Sequence, residues 1–228
     1  MKTFTINVEE STREKLAGLG IGCIHFIGVR TEQNNSIVDQ AIKEASRSVS
    51  NRFKDTKSIS DDPVIKGIRA IFSKAGLDPT KERASGEALI RRIVGGQGLY
   101  RINTVVDTNN VISLRTAYPC GVYDMAKLEG ETITLTIGQP GQTYEGISGK
   151  PINVENRIIT SDAKGAFGGP TADSRRTCIT LGTKEVLMLI YHPASVSADI
   201  LKGAMKDAAM KMKEATGATT CYEVIFSV

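Results

Sequence analysis

Three stretches of this 228-residue chain carry side chains whose types and spacing could do chemistry. Residues 103–124 hold Asn103, Asp107, Asn109 and Asn110, followed by Tyr118-Pro119-Cys120-Gly121 and then Tyr123-Asp124. With 101–106 (RINTVV) read as a strand, these amides and one carboxylate gather at its carboxyl end, where they can hold an amine or a water molecule. The same residue types also cap helices and brace turns, which is the plainer reading of Asp107 and Asn110. Residues 162–180 hold Asp162, Gly165, Gly168 and Gly169 and then Asp173-Ser174-Arg175-Arg176-Thr177. Glycines let backbone N–H groups approach an anion, and two arginines can neutralise it. No Gly-Lys-Ser/Thr closes the stretch, so it is not a Walker loop, and an ordinary glycine hairpin explains it equally well. Charges placed ahead of what reads as a buried strand, TCITL, are costly unless paired or in use. The third stretch is Ser85-Gly86-Glu87 ahead of Leu89-Ile90-Arg91-Arg92. A glycine inside a helix costs about 1 kcal/mol relative to alanine, so it points to close packing or a ligand on that face, or simply to a weak helix.

Other chemistries are poorly supplied. Only two histidines occur, His25 in an apolar run and His192 before a proline, and there is no Gly-x-Ser-x-Gly elbow. Four widely spaced cysteines form no CxxC pair, so neither a zinc site nor a disulfide framework is expected; reduced thiols fit a cytoplasmic protein. No metal and no cofactor is expected, and an enzyme here would work through positioned water and hydrogen bonds. The net charge is +4, but ten of the basic residues fall within 54–101, either as solvated helix faces or as a surface for phosphate. No apolar run reaches the ~18 residues of a membrane span, and the N-terminus lacks a hydrophobic signal region.

The elements that must position these groups read as α+β. Strands are expected at 3–8 and 20–29. Helices follow at 36–53, opened by Ser36 and Asp39, at 62–76, capped by Asp62 and Pro63, and from Asp78-Pro79 to Gly95-Gly96. Beyond the 101–106 strand, Asp107 caps a short helix to about 114. Short β-rich runs fill 131–191 between glycine clusters. A final helix at 197–216 carries Ile200, Leu201, Ala204, Met205, Ala208 and Met212 on one face, and a strand (CYEVIFSV) closes the chain. We read one domain over 1–228, with a helix-rich lobe about 1–96 and a β-rich lobe about 97–228.

At these residues the chain resembles the B3/B4 domain of the bacterial phenylalanyl-tRNA synthetase beta subunit. Its B3 half reads Asn-x-Val-Val-Asp-x-x-Asn, then a Gln-Pro-x-His-Ala-Phe-Asp turn. Asn103, Val105, Val106, Asp107, Asn110, Pro119 and Asp124 match, and Tyr123 stands for the Phe. Residues 158–191 look like the B4 half, with the Asp162 turn, the Gly168-Gly169 pair and a threonine-rich strand approach. With Ser85, Glu87 and Arg91, the whole is most similar to free-standing B3/B4 proteins. The resemblance implies mixed sheets around a β-sandwich-like core with packed helices and a helical N-terminal part. It also implies a pocket between the halves that hydrolyses wrongly charged aminoacyl-tRNA. Asp107, Asn103 and Glu87 would be catalytic. Asn110, Gly121, Tyr123, Gly168, Gly169, Asp173, Ser174 and Arg176 would bind the amino-acid-like substrate, while Arg91, Arg92 and Arg175 would contact tRNA. Two departures stand out: Gly121 replaces the histidine associated with editing, and Tyr118 replaces the Gln. A module that binds an amino acid, a similar small molecule or tRNA without turning it over is the alternative.

Overall fold

The longest apolar runs become the two central strands of one sheet. In the computed structural model, which describes residues 4–228, β1 (Thr5–Val8), α1 (Arg13–Leu16) and β2 (Leu19–Ile27) come first. Next are α2 (Ser36–Arg52), α3 (Pro63–Lys74), α4 (Ser85–Val94) and α5 (Thr104–Thr116). The strands β3 (Cys120–Asp124), β4 (Thr132–Ile137), β5 (Thr143–Glu145), β6 (Pro151–Asn153), β7 (Ile158–Asp162), β8 (Gly165–Gly168) and β9 (Glu185–Pro193) follow. Helix α6 (Ala198–Thr216) and β10 (Thr219–Ser227) end the chain.

One sheet has the order β10-β2-β9-β3, antiparallel throughout, with Cys23 and Gly121 both opposite Leu189. Both central strands are buried along nearly their whole length, as expected where both faces of a sheet are covered. Helix α6 lies on β2 so closely that a Cβ at Gly22 would meet Met205 Sδ at 2.8 Å. The second sheet has the order β1-β4-β7-β8, with β1 parallel to β4. The sheets meet through buried aromatics: Tyr123 of β3 packs edge-on against Phe167 of β8, with centroids 4.7 Å apart, and Tyr191 of β9 reaches Thr160 of β7. This gives the mixed-sheet, sandwich-like core with packed helices. The strand β2, from the helix-rich stretch, sits between two C-terminal strands, so residues 1–96 and 97–228 interleave rather than form separate lobes.

Several local expectations need correction. Residues 101–106 are not a strand. Asn103 is the N-cap of α5, its Oδ1 accepting the Val106 N–H at 3.0 Å, and the two valines lie inside the first turn. Helix α5 is buried almost all round, so tertiary packing outweighs the strand preference of its β-branched residues. Helix α4 begins at Ser85, not at 79, because Asp78 closes a turn onto Thr80. Gly86 then allows the backbone of Ala117 and Tyr118 to approach; a Cβ there would lie 2.6 Å from both carbonyl oxygens. Residues 177–181 form no strand. Ser174 instead caps a single 3-10 turn at Arg175–Thr177. Residues 120–124, read as part of a turn, form the edge strand β3. Asn35 rather than Ser36 caps α2, and Ile200 is exposed.

Candidate functional site

Helices α4 and α5, with the caps just described, build one wall of a cavity of about 690 Å³. It is bounded by α4, the 97–102 segment, α5, β3 and the loop 171–179, with Ile147 between β5 and β6 at its mouth. From α5 come Val106, Asn109 and Asn110; from β3, Cys120, Val122 and Tyr123. Of the residues expected to act, the structure gathers Asn110, Tyr123, Asp173, Arg91 and Arg92 on this surface.

The other two proposed acids stand behind the wall. Asp107 is fully buried; one oxygen accepts the Ile102 N–H at 3.0 Å and the other takes Arg101 Nε at 2.8 Å. It thereby ties the 97–102 segment to the start of α5. Glu87 is also buried and accepts from Arg69 Nε and Nη2 at 2.8 and 2.6 Å and from Arg91 Nε at 2.6 Å, with Arg83 4.0 Å away. Burial pushes the Glu87 carboxyl up, but the hydrogen bonds from Arg69 and Arg91 hold it below the usual range. Three guanidiniums therefore share one carboxylate, leaving surplus positive charge at this rim. The expected residues of the glycine–arginine stretch divide differently. Arg176 forks onto buried Asp162 at 2.8 and 3.0 Å, Ser174 caps its own turn, and Gly169 lies tight against the Ile158 carbonyl. Arg175 pairs with Glu145 on the exposed surface.

Gly121 and Gly168 flank one phenol. A Cβ at Gly121 would run into the Tyr123 hydroxyl and lie 2.8 Å from Cζ; at Gly168 it would lie 2.5 Å from Tyr123 Oη and 2.6 Å from Asp173 Oδ1. The Tyr123 hydroxyl donates to Asp173 Oδ1 at 2.7 Å. The Tyr123 phenol thus fills the space that a side chain at 121 would need. Asp173 is the only carboxylate lining the cavity among the described residues. Burial pushes its pKa up to about 7, against the hydrogen bonds from Tyr123 and the Gly169 N–H. The Tyr123 hydroxyl is itself held well above its ordinary value, first by burial and then by the Asp173 charge, so it stays a proton-bearing donor.

Two further polar atoms in the wall have no partner among the described residues. Asn109 donates from Nδ2 to the Cys120 carbonyl at 3.3 Å, while its buried Oδ1 accepts nothing; Ser85 Oγ is likewise unpaired. Buried polar atoms are nearly always satisfied, so two orphans on one cavity mark positions for a ligand or water. Arg92 lies at the mouth, stacked over Tyr100 with its Cζ 3.9 Å from the ring centroid. Sequence reasoning passed over Tyr100 as a site residue, because nothing in Gly-Leu-Tyr-Arg distinguishes an exposed aromatic from a core one. Among the described residues no group of three or more His, Cys, Asp or Glu can hold a metal, and no helix is long and apolar enough to cross a membrane.

The sequence pattern of the B3/4 domain matches residues 67–215. The phenylalanine–tRNA ligase beta subunit of Malacoplasma penetrans is 29% identical over 126 residues, which are 54% of this chain and 15% of that protein. This chain therefore spans only a small part of that relative. An uncharacterized Bacillus subtilis protein, YhzB, is 20% identical over 191 residues, 84% of each chain. In fold, an N-terminal fragment of the phenylalanyl-tRNA synthetase beta subunit from Pyrococcus horikoshii superposes with a TM-score of 0.51 at 11% identity, covering 99% of this chain and 55% of that one.

Proposed function

Because this chain belongs to the B3/4 domain family, we propose that its cavity takes the aminoacyl end of a mischarged tRNA in the cytoplasm and hydrolyses the ester. The observation that carries this reading is the layout of charge: a single carboxylate, Asp173, inside, and the guanidiniums of Arg83, Arg91 and Arg92 at the mouth. An aminoacyl-tRNA end has the complementary layout, a cationic amine joined through an ester to a phosphate chain. The amine meets Asp173, and Asn109 Oδ1, Asn110 and Ser85 Oγ accept from the amine or from the attacking water. Water oxygen adds to the ester carbonyl, the bond to the ribose oxygen breaks, and that oxygen leaves with a proton from the water. The products are free amino acid and intact tRNA. Asp107, Asn103 and Glu87 serve as positioning residues, since they hold α5, α4 and the 97–102 segment in place. Arg175, on the exposed surface, extends the contact to phosphate.

A panel of mischarged tRNAs, incubated with the protein with and without excess free amino acid, tests this. Loss of the ester for a subset of the panel is the expected result, with binding that weakens steeply as salt rises. Saturable binding without ester loss would make the cavity a non-catalytic binding module. Absence of both would overturn either reading.

A further inference from the structure

We propose that Tyr100, stacked on Arg92, is a platform for the nucleobase adjoining the ester. The identity of the ligand rests on the aminoacyl-tRNA reading; the site rests on its own geometry. Tyr100 is 59% exposed, the most exposed large hydrophobic residue among those described, and it lines the mouth of the cavity. Ile102 and Ile147, 43% and 55% exposed, lie on the same rim. An aromatic ring left in water beside a cavity is a cost to the free protein that a stacked ligand removes.

The ring is already held for that task. Arg92 covers one face, and its Nη1 donates to Tyr100 Oη at 2.9 Å. Its remaining bonds run to the Gly98 and Gln97 carbonyls and the Gln97 side chain, so among the described residues the guanidinium has only neutral partners. Its charge stays available to a phosphate while its plane polarises the ring. An aromatic face beside uncompensated arginine is the arrangement that binds single-stranded nucleotides without regard to sequence. The cavity then divides the ligand by chemistry: amine inward to Asp173, base outward on Tyr100, phosphate between Arg83 and Arg92.

Titration with AMP and with adenosine, followed by NMR, tests the platform on the intact protein. Tyr100→Ala is expected to weaken both about tenfold, Tyr100→Phe to keep most of the affinity because the π-face remains, and salt to weaken AMP more than adenosine. Binding of uncharged tRNA should fall in the alanine variant, whereas tRNA lacking its terminal adenosine should bind wild type and variant equally. Equal AMP binding by wild type and Tyr100→Ala, or none by either, would overturn the proposal. Dependence on Tyr100 for AMP but not for intact tRNA would also overturn it, by assigning the platform to free nucleotides. Ester loss is not read in any arm, so a failed deacylase reading and a failed platform are told apart.

Discussion

Asp173→Asn is expected to lower kcat/KM for aminoacyl-tRNA hydrolysis by about 10²-fold and, at the same time, to raise thermal stability at pH 8. Asparagine can still accept from the Tyr123 hydroxyl, so the wall keeps its shape; what is lost is the charge that meets the amine. Removing one partner of a desolvated charge pair costs about 2–5 kcal/mol, and each 1.4 kcal/mol is about tenfold. The pH profile carries the same information. With the carboxyl pushed up to about 7 by burial, kcat/KM rises with pH through that value as Asp173 ionises. It falls again where the amine of the substrate loses its proton, at about 7.7–8 for an ordinary α-amino group. The variant loses the acid limb. Stability moves in the opposite sense. Between the ordinary carboxyl range and pH 7 the folded protein retains a proton that the unfolded chain has released, so stability drops as pH rises through this window. The variant carries no such penalty, so its melting curve approaches that of wild type towards pH 4 and lies above it at pH 8. A variant less stable at pH 8, or an unchanged acid limb, contradicts the role given to Asp173.

Glu87→Ala has the largest expected effect on folding, a loss of about 3 kcal/mol in chemical unfolding. Breaking a buried pair by removing one partner costs about 3–5 kcal/mol. The lower end applies because Arg69 and Arg91 keep 22% and 24% of their side-chain surface in water. The wild-type contribution is present above the ordinary carboxyl range, and it is lost as pH falls through the lowered pKa of Glu87. Asp107→Ala follows the same logic at about 2 kcal/mol, since Arg101 remains paired with Asp39 while the Ile102 N–H loses its acceptor. Asp107→Asn separates position from chemistry. It keeps an acceptor for Ile102, and per folded molecule it is expected to lose far less activity than Asp173→Asn. Equal losses would move Asp107 from a positioning role to the chemistry itself.

The parts of the fold that could be read from sequence are those governed by local rules. Asp62 and Pro63 open α3 where expected, Asp62 accepting from Val64 and Ile65, and Gly217 ends α6 in the left-handed region. The continuous apolar runs of β2 and β9 mark strands covered on both faces. The body of α5 to about residue 114 was expected, but its first turn escaped, because burial on nearly all sides removes the 3.6-residue pattern and leaves Val105 and Val106 to suggest a strand. The site itself depends on pairings across long stretches of chain. Tyr123 and Asp173 are 50 residues apart, and neither Gly121 nor Gly168 has meaning until the phenol between them is placed. Asp107 and Glu87 drew attention as acids in a motif; Arg91 stands one helical turn from Glu87, but Arg69, which completes the fork that turns Glu87 into a strut, comes from another helix and is placed by tertiary packing.

The most direct measurement is a crystal structure of the protein with a non-hydrolysable 3′-aminoacylamino-adenosine, in which an amide replaces the ester. The account predicts the ligand's amine within hydrogen-bond distance of Asp173, with Asn109 Oδ1 placed to accept from that amine, and its adenine ring on Tyr100. A ligand bound elsewhere, or one whose amine points out of the cavity towards the arginines, would contradict it.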